Sequence, residues 1–176
     1  MEIGILLWFQ EVVRQPWLTP IMEFISFLGK AGWFFIAITL VLCCFKKTRK
    51  IGIVLALGII LQFLIGNIIL KPIVARARPY ETYADVLHLI GKKENDLSFP
   101  SGHTGVAFVW AVCVCLTCDK KWGILAIALG LLMGISRMYL GFHYPTDVLG
   151  AILLGIVNGY VAYVLAKKYI YPRMKE

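Results

Sequence analysis

Residues 136–166 read SRMYLGFHYPTDVLGAILLGIVNGYVAYVLA, a polar cluster followed by an uncharged apolar stretch, Val148–Ala166. A helix needs about 17–25 apolar residues to cross roughly 30 Å of hydrocarbon, and this stretch reaches that range. Pro145 and Thr146 fit the first turn of such a helix, so it is expected to begin near Thr146. Four further apolar stretches precede it, Ala31–Phe45, Ile51–Leu70, Gly102–Cys118 and Trp122–Leu140, each bounded by charged or turn-forming residues. Of the 176 residues 60% are hydrophobic and 16% charged, and the mean hydropathy is +0.78. Those values lie outside the range of soluble domains. The expected fold is all-α: a polytopic membrane helix bundle with about five transmembrane helices, six at the upper count, and an N-terminal interfacial helix. The first span is short unless it starts nearer Ile21, and Gly29-Lys30-Ala31-Gly32 marks a break there.

Charge sets the expected orientation. The segments after the first, third and fifth stretches carry Lys46, Lys47, Arg49 and Lys50; Asp119, Lys120 and Lys121; and Lys167, Lys168, Arg173, Lys175 and Glu176. Their net charges are +4, +1 and +3, which is the whole of the chain's +8. The positive-inside rule places these segments, and with them the C-terminus, in the cytoplasm of a multi-pass plasma or inner membrane protein. The basic pI of 9.3 is therefore a topology signal, and no nucleic-acid partner is expected. At the N-terminus, Ile3–Phe9 is a short apolar run without a basic leader, unlike a cleaved signal peptide. With Trp8, Glu11, Arg14 and Trp17 nearby, residues 1–28 read as an interfacial segment, broken by Pro16 and Pro20.

Five cysteines, Cys43, Cys44, Cys113, Cys115 and Cys118, fall near the expected cytoplasmic ends and lack the second pair that a zinc site requires. They read as small apolar residues. Gly130-x-x-x-Gly134 and Gly155-x-x-x-Gly159 fit close helix packing. Gln62 and Asn67 read as partners for neighbouring helices. The whole chain, 1–176, reads as a single integral-membrane domain, with residues 71–100 forming an outer loop over the site. Within that loop the run Lys92-Lys93-Glu94-Asn95-Asp96 reads as solvated.

Three polar clusters interrupt the apolar pattern, and the charge rule puts all of them on the outer side. The first holds Lys71, Arg76, Arg78 and Pro79; the second is Pro100-Ser101-Gly102-His103; the third is Ser136-Arg137 with His143 and Asp147. Cations drawn from separate loops repel one another unless an anion sits among them. Arginine forks match phosphate oxygens two at a time and lysine supplies a point charge, so Lys71, Arg78 and Arg137 are expected to bind phosphate. Arg76 reads instead as a cation snorkelling at the membrane boundary. Ser101 and the Gly102 amide open a helix, where free N–H groups suit an anion; the plain alternative for Ser101 is an N-cap, and the two roles are compatible. His143 precedes Asp147 by four residues, a spacing that lets the carboxylate hold one ring nitrogen and leave the other free to attack. His88 belongs to no cluster and reads as a loop residue.

Taken in order and with their internal spacing, the three clusters resemble the signature of the type 2 phosphatidic acid phosphatase (PAP2) superfamily. The match falls on Lys71, Arg78, Pro79, Pro100, Ser101, Gly102, His103, Ser136, Arg137, His143 and Asp147, and covers about two-thirds of the chain. The resemblance implies a bacterial membrane lipid phosphatase needing no metal and no other cofactor. By the same resemblance His143 attacks phosphorus, His103 protonates the leaving oxygen, Asp147 steadies the imidazolium, and water hydrolyses a phosphohistidine. The implied substrate is a phospholipid or isoprenoid phosphate held in the bilayer: undecaprenyl diphosphate, phosphatidylglycerol phosphate or phosphatidic acid. A vanadate-dependent haloperoxidase shares the constellation but is soluble and much larger. A lipid phosphotransferase with the same site stays open. An anion or lipid-phosphate transporter fits less well, because the charges sit at one interface and no inverted repeat is visible. Oligomeric state is not encoded legibly.

Overall fold

The computed structural model describes residues 2–174; Met1, Lys175 and Glu176 lie outside the described residues. Helices form all the regular structure described. In chain order they are α1 (Glu2–Trp8), α2 (Thr19–Gly29), α3 (Trp33–Cys44), α4 (Arg49–Gln62), α5 (Lys71–Val74), α6 (Pro79–Thr82), α7 (Gly102–Thr117), α8 (Lys120–Tyr139) and α9 (Pro145–Leu165). A wider π-type winding over Phe63–Leu70 joins α4 to α5, and another, Ala166–Ile170, extends α9.

Four helical runs are long and apolar enough to cross a membrane: Thr19–Cys44, Arg49–Thr82, Lys120–Tyr139 and Pro145–Arg173. Gly102–Thr117 is a shorter apolar helix, giving five helical columns in total. No spanning window is more than 44% buried within the protein. The apolar side chains left outside, among them Leu40, Phe63, Leu125, Leu149 and Leu153, have no protein partner and need hydrocarbon around them. The sequence-based first span, Ala31–Phe45, lengthens. α2 joins it, so Ile21–Leu28 is the upper half of a broken span that packs against α8 and not a separate surface segment.

Helix α7 stands at the centre, against α4, α8 and α9. The expected role of the small-residue pairs holds. A Cβ added at Gly155 would lie 2.8 Å from Phe108 Cβ and 2.9 Å from the Gly105 carbonyl oxygen, so α7 and α9 touch backbone to backbone. Around this contact Val54, Leu55, Val109, Ala111, Val114 and Ala162 are buried together. Gln62 and Asn158 form a buried hydrogen bond of 2.9 Å between α4 and α9. Asn67 makes no side-chain hydrogen bond among the described residues. The five cysteines are free thiols; Cys43 and Cys44 lie on α3, Cys113 and Cys115 on α7, and Cys118 caps α7, toward the ends away from the polar clusters.

The opposite end of the bundle carries the loops, which are tied to one another by main-chain bonds. Ser98 N donates to the Arg76 carbonyl (2.8 Å), Ile90 N to Leu140 O (3.0 Å) and Ser101 N to Asp147 O (3.2 Å). α1 packs over these loops through Leu6, which is fully buried with Leu87 and Tyr144. Arg14 secures the segment that follows by donating to Tyr139 O (2.9 Å) and His88 O (2.7 Å).

Candidate active site

The three polar clusters meet at this end. Arg78, Arg137 and His143 are each at least 98% buried by surface area, and Asp147 is completely so. Local chain geometry explains the convergence. Ala75 adopts a left-handed φ of 47° that ends α5, and Pro79 restarts a helix with Arg78 as its N-cap. Glu81 accepts the Arg78 backbone N–H (3.0 Å), fixing where that arginine leaves the chain. Gly141, at φ 88°, turns the chain after α8 so that Phe142 and His143 fold back over the bundle. Arg78 Nη1 then donates to the Phe142 carbonyl (3.2 Å) and lies 3.4 Å from His143 Nε2.

His143 is held from its other side. Its Nδ1 lies 3.5 Å from Asp147 Oδ2 and 3.4 Å from Ser98 Oγ. The Asp147 distance is longer than an ordinary hydrogen bond, so the carboxylate orients the ring electrostatically, while Ser98 Oγ donates to the same Oδ2 at 2.5 Å. The backbone N–H of Tyr144 fills the remaining position on Oδ2 (2.9 Å). Ser98 was not among the expected residues; a lone serine two positions before Pro100 carries no sequence signal of its own.

Arg76 departs from its expected role. It is not a free snorkelling cation: Nη1 donates to Asp147 Oδ1 (2.7 Å) and Thr146 Oγ1 (2.7 Å), and Nη2 to Glu2 Oε2 (2.6 Å). Its guanidinium also lies 3.8 Å from the centre of the Tyr144 ring. The buried Asp147 carboxylate needs a charge partner, and Arg76 is the one in reach.

The loop run 92–96 also departs from expectation, because its two carboxylates enter the site. Glu94 bridges the arginines, with Oε2 2.7 Å from Arg78 Nη2 and Oε1 2.7 Å from Arg137 Nη2. Asp96 Oδ1 accepts from Arg78 Nη2 (2.5 Å), and Oδ2 pairs closely with Lys71 Nζ. The three cations thus do meet around an anion, and the chain itself supplies it. Partial desolvation alone would raise the Asp96 pKa; the hydrogen bond from Lys71 and the charges of Arg78 and Lys71 outweigh it and hold the carboxyl below its usual range.

Arg137 donates to Ser26 Oγ on α2 (2.7 Å) and lies 3.9 Å from the centre of the Phe142 ring. Its Nε is buried and makes no hydrogen bond among the described residues. Ser101 caps α7: its Oγ lies 3.0 Å from Thr104 Oγ1 and 3.5 Å from Thr104 N. Gly102, His103 and His143 line one cavity of about 680 Å³ together with Lys71, Arg78 and Glu94. His88 is exposed in its loop, away from this group. Burial, and after it the positive charges of Arg137, Arg78 and Lys71, hold the His143 imidazole well below the ordinary histidine range. The ring is therefore neutral near pH 7, with Nε2 turned toward the cations.

Fold and site together define a helical membrane protein with an anion pocket built against a histidine. The PAP2 superfamily model matches residues 47–171, and the chain belongs to that superfamily. It is 36% identical over 138 residues to an undecaprenyl-diphosphatase of Sulfolobus acidocaldarius, covering 78% of this chain and 66% of that protein. It is 34% identical over 164 residues to phosphatidylglycerophosphatase B of Bacillus subtilis, covering 83% of this chain and 74% of the relative. Among solved structures, LpxE of Aquifex aeolicus superposes with a TM-score of 0.80 at 27% identity, covering 92% of this chain and 93% of that one. A PAP2-type phosphatidylglycerolphosphate phosphatase from Bacillus subtilis gives 0.73 at 30% identity, with coverage of 92% and 83%.

Proposed function

We propose that this protein is a lipid phosphatase that hydrolyses a phosphate monoester or diphosphate of a membrane lipid at the extracytoplasmic face, through a phosphohistidine on His143. The observation that carries the reading is the position of His143 Nε2, 3.4 Å from Arg78 Nη1, beside cations that are neutralised by carboxylates from an accessible loop. A phosphoryl group has the charge and the planar oxygen pairs to displace those carboxylates. Arg78, Arg137 and Lys71 then hold its oxygens, with the unpaired Arg137 Nε as a further donor. The Gly102 amide at the start of α7 and the capping Ser101 extend that cradle.

In the first step His143 Nε2 forms a bond to phosphorus while the bond to the lipid oxygen breaks. The oxygen departs with its electron pair and takes a proton from His103. In the second step water attacks the phosphohistidine, with His103 receiving the water proton and His143 leaving as neutral imidazole. Asp147, fixed by Arg76, Ser98 and the Tyr144 amide, balances the charge on His143 between the steps. The cations neutralise the phosphoryl oxygens, a task metal ions perform in other phosphotransfer enzymes. Among the described residues no three His, Cys, Asp or Glu side chains are grouped to hold a metal. The names of the relatives support undecaprenyl diphosphate and phosphatidylglycerol phosphate as first substrates to try, with phosphatidic acid beside them. The net charge of the basic segments supports an outward-facing site and a cytoplasmic C-terminus.

The test is inorganic phosphate release from these lipids by the purified protein in detergent with excess chelator. Release that continues under chelation is expected. Release that requires added magnesium would overturn the metal-free mechanism, and a reporter fused after residue 174 that reads out on the outer side would overturn the orientation.

A further inference from the structure

The break between α2 and α3 has no place in the mechanism above, yet it borders the same cavity. A Cβ added at Gly29 would lie 2.7 Å from His103 Cδ2 and 2.8 Å from Met133 Sδ, so the main chain passes directly against the edge of the His103 ring. The next residues turn sharply: Ala31 and Gly32 both have positive φ, 50° and 67°. An alanine in that region is strained, and strain of this kind gathers at functional sites. Trp33 Nε1 donates to the Phe27 carbonyl across the turn (2.9 Å), which fixes it. The turn places Lys30 on the cavity wall.

Lys30 differs from the other cations there. Lys71, Arg78 and Arg137 each contact a carboxylate, whereas Lys30 forms no ion pair among the described residues and is exposed. Asn67 lines the same cavity and keeps its side-chain amide free; its Oδ1 lies 3.7 Å from where a Cβ on Gly102 would sit. Ile36, Ile59, Ile60, Phe63 and Leu64 add an apolar part to the same lining. The cavity therefore brings together paired cations, histidines, an unpaired cation, an amide and an apolar wall.

In an in-line displacement the nucleophile and the leaving oxygen lie on opposite sides of phosphorus. His143 marks the first side and His103 the second, so Lys30, which directly follows the residue touching His103, belongs to the leaving group. We propose that Lys30, with Asn67 of the same cavity, binds the second phosphate of a lipid diphosphate, and that this cation selects diphosphates over monoesters. The inference rests on the phosphatase reading and narrows its substrate. Chemically, the His143–phosphorus bond forms as the bond from the terminal phosphorus to the bridging oxygen breaks. That oxygen leaves as part of a lipid monophosphate, taking the His103 proton while Lys30 offsets its remaining charge; water then attacks phosphorus, gives a proton to His103 and releases inorganic phosphate from His143. A monoester leaves as a neutral alcohol and has no use for the cation.

The experiment compares kcat/KM for undecaprenyl diphosphate, phosphatidylglycerol phosphate and phosphatidic acid in one detergent, for wild type and for Lys30→Ala, Lys30→Gln and Lys30→Arg. In the Ala and Gln variants the diphosphate-to-phosphatidic-acid ratio should fall by about 10- to 100-fold, the size of one charge-assisted hydrogen bond. Lys30→Arg should restore most of it. Phosphatidylglycerol phosphate carries its second phosphate beyond a glycerol, so its ratio should fall less. A diphosphate ratio within about twofold of wild type overturns the proposal. So does a larger loss on phosphatidylglycerol phosphate, or a wild type that hydrolyses monoesters and not the diphosphate. A wild type that releases phosphate from none of the three overturns the phosphatase reading itself.

Discussion

Arg76 and Arg78 stand two residues apart on one short segment, and the site uses them in opposite ways. Arg76 grips Asp147, whose carboxylate is wholly buried and also accepts hydrogen bonds from Ser98 Oγ and the Tyr144 amide. Arg78 grips Glu94 and Asp96, whose side chains are 28% and 52% exposed and belong to a loop. A buried, multiply bonded pair is costly to open, because removing one partner strands a charge; a pair with an exposed partner opens readily. The first network therefore resists opening and holds Asp147 beside His143. The second opens more readily, and under the proposed function it exchanges its carboxylates for phosphate. Charge alone does not separate them, since both are arginine–carboxylate clusters. The burial of the anion does.

Substitutions sharpen this contrast, and the largest effect is expected at His143, the proposed nucleophile. His143→Ala should reduce phosphate release by at least about 10³-fold, whereas His88→Ala should leave it unchanged. Equal losses in the two variants would break the site assignment. Next in size, Arg78→Ala and Arg137→Ala should each lower kcat/KM by about 10²–10³-fold, the scale seen when one donor to a developing charge is removed. Arg76→Ala should act differently, lowering kcat with little change in KM and lowering the thermal midpoint, because it strands Asp147. An Arg76 variant that raised KM alone would place that residue on the substrate. The smallest effect is expected for Asp96→Asn, which frees Lys71 and Arg78 from one competitor and should tighten inhibition by inorganic phosphate several-fold. Weaker inhibition would mean that Asp96 helps bind the anion.

The pH profile follows from His143. Its pKa is held below the ordinary value of about 6.5, so the neutral imidazole that the proposed attack requires persists as pH falls through that value. The acid limb of kcat/KM for the free enzyme should therefore lie below about pH 6.5. The unfolded chain takes up a proton near 6.5 and the folded site does not, so this group's contribution to stability is complete above that pH and is lost as pH falls below it. Raising the pKa by removing a neighbouring cation, as in Lys71→Ala, should move the acid limb upward.

The sequence carries the helical membrane architecture almost in full, because hydrocarbon thickness fixes the length of the apolar runs and charge bounds them. It carries less of the first span, where Gly29–Gly32 looks like an end and is instead a turn inside Thr19–Cys44. Of the candidate site, the grouping of Lys71, Arg78, Arg137, His103 and His143 at one end of the bundle is legible, because histidines and clustered cations have little reason to lie beside apolar helices. Arg76, Ser98, Glu94, Asp96 and Ser26 are not. Their contacts span long separations, such as Arg137 to Ser26 across 111 positions, and a charged run in a loop looks solvated until the fold brings cations to it. The sign of a side chain is local information, and its partner is not.

The central claim is that His143 becomes covalently phosphorylated in a pocket shared with Arg78. Rapid mixing with a lipid labelled in its terminal phosphate, followed by an alkaline quench that preserves phosphohistidine, tests it directly. Label recovered on the peptide containing His143 in wild type, and absent from His143→Ala, is the predicted result. Turnover of labelled lipid with no protein-bound label at any time, or label on His103 instead, would contradict it.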